Sequence, residues 1–84
     1  MTHSIEILKS AQKQLARIDQ HQRPRLYRAI RKLADDPRPP GTKKLSGRPA
    51  WRIRVGRYRI IYEIHEDRLP VLVVAIGDRK EIYR

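Results

Sequence analysis

A guanidinium presents a planar fork of donors that matches the oxygens of a phosphate, and a phenol ring gives a nucleobase a surface to stack on. This chain places arginines at 52, 54, 59 and 79 and a tyrosine at 83, within the two short stretches WRIRVGRYRIIY and VVAIGDRKEIYR. Val55 and Tyr58 flank the dipeptide Gly56-Arg57, and a glycine in the first central position suits a two-residue type II′ hairpin turn. That turn sets Val55 opposite Tyr58, Arg54 opposite Arg59, Ile53 opposite Ile60 and Arg52 opposite Ile61. Alternation along the strands then puts Trp51, Ile53, Val55, Tyr58, Ile60 and Tyr62 on one face, and Arg52, Arg54 and Arg59 on the other with Ile61.

Directly opposed like charges disfavour folding, so the Arg54–Arg59 pair calls for another reason. Arginine stems do cover apolar sheet surface while their heads stay in water, and an acid placed among them would serve the fold alone. The nearest acid on that face is Glu63, four residues beyond Arg59 and about 13 Å along the strand, too far to neutralise the set. If Leu72, Val74 and Ile76 of the last strand face the helices, alternation sends Arg79 to the arginine face. An antiparallel turn over 66–69 returns that strand beside Tyr58 and Arg59. Four guanidiniums, with Tyr83 just beyond, then converge on one concave surface suited to a phosphate.

The rest of the composition agrees. Twenty Lys and Arg against nine Asp and Glu give 84 residues a formal charge of +11, and residues 37–59 contain no acid. Such a chain favours polyanions. A domain of this length buries only roughly 60 % of the surface its unfolded chain exposes, so a stabilising partner is expected. The absence of cysteine removes disulfides, thiolate nucleophiles and Cys-based zinc sites. No apolar run reaches the ~18 residues of a membrane span, and the N-terminus reads as no secretory signal, so the expected location is cytoplasmic.

The elements that must position these residues follow from periodicity. Ile5 and Ile7 alternate with Ser4 and Glu6 as a short strand. Ser10 is the expected cap of a helix carrying Ala11, Leu15 and Ile18 on one side, and Leu26, Ile30, Leu33 and Ala34 stripe a second helix that admits Pro24 in its first turn and ends before Pro37. DPRPPGTKKLSGRPA, with four prolines and two glycines, reads as a loop from which Leu45 docks on the core. Three strands follow, over 51–55, 58–65 and roughly 70–77, and the last, apolar throughout, reads as a central strand covered on both faces.

Taken together, the strand, the two helices, the stretch KKLSGRPAWRIRVGRYRIIYEI and the ending VVAIGDRKEIYR resemble the RelE toxins of the RelE/ParE superfamily, the ribosome-dependent mRNA interferases of toxin-antitoxin pairs. The resemblance spans nearly the whole chain. It implies a single α+β domain over 1–84: an N-terminal strand, a two-helix antiparallel hairpin, then a three-stranded antiparallel meander forming one small sheet packed on the helices. It further implies an endoribonuclease that cuts mRNA in the ribosomal A site without metal or cofactor. The implied partners are the ribosome, mRNA and a RelB-like antitoxin, acidic or amphipathic, that blocks the active face; no membrane is implied.

Residue by residue, Arg52 and Arg54 match the basic pair flanking an apolar residue before the hairpin turn. Arg59 matches the arginine of the GxYR segment, Arg79 that of the G-x-R segment, and Tyr83 the tyrosine that follows. By resemblance, Arg59 and Arg79 stabilise the phosphate or assist the leaving group, and Tyr83 stacks on or orients a base. Two positions depart from the pattern: Arg52 and Arg54 stand where some relatives carry lysines, and Asp78 stands where a lysine or histidine is common. Arginine essentially never deprotonates, so the task of Arg52 and Arg54 is electrostatic, and proton transfer falls to Tyr83, to Asp78 or to ribosomal RNA. On the same scaffold the rival readings are a ParE-like gyrase inhibitor and a catalytically silent RNA-binding protein.

His3, His21 and His65 lack metal-ligand spacing. His65 and Glu63 share the arginine face, an arrangement open to an acid–base pair, but they lie toward its far end and read as solvated polar residues. The basic stretch RPRLYRAIRK reads as a solvated helix face, or as a grip on RNA phosphates without sequence choice.

Overall fold

A computed structural model describes residues 4–65 and 70–78. The chain runs β1 (Ser4–Ile7), α1 (Lys9–Ala16), α2 (Arg23–Asp35), β2 (Lys43–Lys44), β3 (Trp51–Val55), β4 (Tyr58–Ile64) and β5 (Pro70–Asp78). The expected three-stranded meander is replaced by a five-stranded mixed sheet in the order β1-β5-β4-β3-β2. Strands β3, β4 and β5 are antiparallel neighbours, β1 joins β5 in parallel, and β2 joins β3. β2 lies inside the stretch expected to be wholly loop, because two paired residues are too short to show a period. β4 is the middle strand, and β5 lies between it and β1.

Both helices pack on one face of the sheet, since Ala11, Leu15 and Ile18 share a single buried cluster with Leu26, Ile30, Leu33, Ile53, Ile60, Tyr62, Val71, Val73 and Ile76. These residues recur every three or four positions along the helices and at alternate positions along β3 and β4, so one apolar stripe meets one apolar face. Ser10 does not cap α1. The helix starts at Lys9 with Leu8 in the cap position, because Leu8 still donates its N–H to the Val73 carbonyl at 3.0 Å and the chain turns from ladder to helix there. Gln12 Nε2 donates instead to the Ile7 carbonyl at 2.8 Å. At the other end of α1, Arg23 donates from Nε to the Ile18 carbonyl and from Nη2 to the Ala16 carbonyl, both at 2.9 Å. A cation there also opposes the helix dipole.

The last strand departs from simple alternation. Tyr62 pairs with Val73 and Ile61 with Ala75, so Val74 is an extra residue, a β-bulge. Upstream of it Val71 and Val73 face the helices, and downstream Ile76 does. The expected inward set of Leu72, Val74 and Ile76 is therefore correct only for Ile76. Leu72, Val74 and Ala75 are half-buried and Gly77 is buried, so β5 is fully covered on the helix face and partly covered on the other. Gln14 Oε1 accepts from the Ile76 N–H at 2.8 Å, which ties α1 to the strand just past the bulge.

The segment between α2 and β3 is held by Tyr62, a fully buried ring whose hydroxyl donates to the Pro37 carbonyl at 2.6 Å. Leu45, just past β2, is half-buried and not part of the main core. Among the described residues, no helix is long and apolar enough to cross a membrane.

Candidate functional site

The hairpin has the register that its turn demands: Trp51 opposite Tyr62, Arg52 opposite Ile61, Ile53 opposite Ile60, Arg54 opposite Arg59 and Val55 opposite Tyr58. Gly56 has φ +61°, the positive value that primed turns require. A Cβ at this position would stand 3.0 Å from Arg25 Nη1, so the turn and the start of α2 fit closely. Ile53, Ile60 and Tyr62 are buried in the core, with Trp51, Val55 and Tyr58 packed against it. The other side of the hairpin therefore presents Arg52, Arg54 and Arg59 together.

These three differ in environment. Arg59 is 5 % exposed and Arg52 9 %, whereas Arg54 is exposed. A guanidinium withdrawn from water acts in a lower effective dielectric and attracts an anion more strongly than one in solvent. Opposite Arg59 on β5 lies Gly77, and opposite Ile61 lies Ala75. Small residues of β5 thus border the arginines. Sequence reasoning passed over Ala75 and Gly77, although their alternation with Ile76 was a signal. It also passed over Lys43, which pairs with Arg52 and adds a cation on the same side.

Asp78 pairs with Tyr58 in the register, on the helix side of the sheet, and accepts from Arg57 Nε at 2.7 Å. It is turned away from the arginine face and engaged by another cation. Glu63 and His65 are half-buried and bond to each other at 2.9 Å, Oε1 to Nε2, so they form a pair instead of standing as separate solvated groups. Two expected site residues, Arg79 and Tyr83, lie outside the described residues. Among the described residues no group of three His, Cys, Asp or Glu side chains is arranged to hold a metal ion.

A face of this kind can bind an anionic, phosphate-bearing polymer and stabilise added negative charge on it. Residues 5–83 match the family of the ParE toxin of the type II toxin-antitoxin system, parDE. A protein of Escherichia coli assigned provisionally as a RelE-like toxin is 23 % identical over 87 residues, covering 99 % of this chain and 92 % of its own. The fold is similar to a chain of the toxin-antitoxin complex RelBE2 from Mycobacterium tuberculosis, with a TM-score of 0.84 and 17 % identity over 94 % of this chain and 100 % of that one. It is likewise similar to a chain of the archaeal RelE-RelB complex from Pyrococcus horikoshii, with a TM-score of 0.83 and 24 % identity over 96 % and 99 % of the two chains.

Proposed function

This chain belongs to the ParE toxin family of type II toxin-antitoxin systems, within the RelE/ParE superfamily, and from that premise we propose that it is a ribosome-dependent endoribonuclease that cuts mRNA and so stops translation. The observation that carries the proposal is the directly opposed Arg54–Arg59 pair, with Arg52 beside it, on the sheet face opposite the helices. Two cations placed directly opposite each other repel, and an incoming phosphate backbone offsets that repulsion.

Cleavage removes the proton from a 2′-OH, whose oxygen attacks the adjacent phosphorus in line. The bond to the 5′ oxygen breaks, that oxygen takes a proton, and the products are a 2′,3′-cyclic phosphate and a 5′-hydroxyl. Charge accumulates on the phosphoryl oxygens during attack. Arg59 and Arg52 stabilise it from positions already withdrawn from water, and Arg54 receives the strand from the exposed edge. Arg79 adds a fourth guanidinium, and Tyr83 orients the base. Because Asp78 is committed to Arg57 on the other face, proton transfer falls to Tyr83 or to ribosomal RNA. Action on ribosomes sets the protein in the cytoplasm. The RelBE2 and RelE-RelB complexes support a cognate antitoxin, which in this reading is acidic or amphipathic and covers the arginine face.

The test is to map mRNA ends after adding the purified protein to a translation reaction, beside free mRNA and an Arg59→Ala control. Cuts within ribosome-bound codons, absent from both controls, are expected. A second reading, gyrase inhibition, is favoured by the family match itself, which is to ParE toxins. Intact mRNA together with inhibited supercoiling would select it.

A further inference from the structure

Past the bulge at Val74, β5 ends in Ala75, Ile76, Gly77 and Asp78, and two side chains tether that end. Gln14 Oε1 accepts from the Ile76 N–H at 2.8 Å. Two residues on, Asp78 Oδ2 accepts from Arg57 Nε at 2.7 Å and from Arg57 Nη2 at 2.5 Å. Arg57 is stationed in turn by its neighbour, with its Cζ 5.7 Å from the centre of the Tyr58 ring, and Tyr58 is the residue that pairs with Asp78. The hairpin turn is thereby fastened to the last residue of β5. Between the two tethers lies Gly77, opposite Arg59. Lacking a Cβ, it is the most permissive point of this stretch of backbone.

Val55 and Tyr58 exchange hydrogen bonds across the turn, so alternation directs the N–H and C=O of Arg59 toward Gly77. The buried Arg59 is therefore seated on the rung that the two tethers bracket. Arg79, the cation that the proposed reaction draws from this strand, follows Asp78 directly in the chain.

We propose that Asp78 is a positioning residue for the RNA-cleaving site: clasped by Arg57, it fixes the Arg59–Gly77 rung and the point from which the chain continues to Arg79. The proposal rests on the reading of the chain as an endoribonuclease and deepens it. Asp78 is turned from the arginine face and acts through the backbone. It stands where the family pattern commonly carries a lysine or histidine, so the clasp belongs to this chain. The Arg57 side chain is 74 % exposed, and ion pairs so open to water contribute little to stability, so the domain should stay folded when the clasp is broken. A small misplacement of a positioned group nevertheless slows a reaction strongly.

The experiment compares Arg57→Ala, Asp78→Ala and the exchanged pair, Arg57→Asp with Asp78→Arg, each in the full chain. Amide hydrogen exchange of the protein alone should speed several-fold at Arg59 and Gly77 in both single variants, with Ile30 and Leu33 unchanged, and should slow again in the exchanged pair. Cleavage of ribosome-bound mRNA should fall roughly tenfold to a hundredfold in kcat with KM unchanged, recover in the exchanged pair, and keep the shape of its pH profile throughout. Unaltered exchange at Arg59 and Gly77, undiminished kcat, or no recovery in the exchanged pair overturns the proposal. So does loss of one limb of the pH profile in Asp78→Ala but not in Arg57→Ala, which would make Asp78 a proton carrier. Amide exchange is read without any cleavage reaction, so failure of the clasp and failure of the nuclease reading are separate outcomes.

Discussion

The two faces of the sheet obey opposite rules. On the helix side, Ile53, Ile60, Tyr62, Val71, Val73 and Ile76 meet Leu26, Ile30 and Leu33, and each contact removes apolar surface from water. On the other side, like charges confront each other across β3 and β4, small residues border them, and two of the three described arginines are nonetheless withdrawn from solvent. The first face holds the domain together. The second sets two cations opposite each other, an arrangement that the proposed function assigns to a phosphate-bearing ligand.

Substitutions on the two faces should separate accordingly. Ile60 sits fully buried in the middle strand, and Ile60→Ala should cost about 2–5 kcal/mol, the usual range for an isoleucine truncated in a core. Against the ~5–15 kcal/mol typical of a whole domain, that shows as a large drop in the denaturation midpoint. Gly56→Ala acts at the hinge between the faces. It forces a side chain into positive φ and against Arg25, and about 1–2 kcal/mol should be lost, measurable by urea unfolding.

Tyr62→Phe leaves the Pro37 carbonyl without its donor and should cost about 1 kcal/mol. Burial raises the Tyr62 pKa above its usual 10, so the folded state holds the proton more tightly than the unfolded state. The associated stability is complete below pH 10 and declines as pH rises from there through the folded-state value. Unfolding curves taken on either side of pH 10 should show that decline, and Tyr62→Phe should flatten it. The smallest effect has the opposite sign. Arg54→Gln removes one of two opposed cations and should raise stability by roughly 0.2–1 kcal/mol, read as a higher unfolding midpoint.

The same contrast explains what could be read from the sequence. The hairpin was legible because a glycine turn of two residues leaves one register, and one register assigns every side chain from Trp51 to Tyr62 to a face. The helices were legible through Leu26, Ile30 and Leu33, whose spacing fits no other element. PVLVVAI carried no such information. A run without polar residues has no alternation to reveal the bulge at Val74, so the inward set was assigned one residue out of phase before it. β1 pairs in parallel with β5 across most of the chain, and β2 is two residues long; local patterning reaches neither. At the site, the composition of the arginine face could be foreseen, but not the turning of Asp78 toward Arg57 or the pairing of Glu63 with His65, both of which depend on side-chain placement after folding.

The most direct test measures two quantities on Arg54→Gln and Arg59→Ala: the free energy of unfolding in urea and the rate of mRNA cleavage in a translation reaction. The account predicts cleavage reduced on the order of a hundredfold or more in Arg59→Ala with the domain still folded, and reduced cleavage with unchanged or greater stability in Arg54→Gln. Undiminished cleavage in both variants, with stability falling in step with each lost guanidinium, would show that the arginines serve the fold and would contradict it.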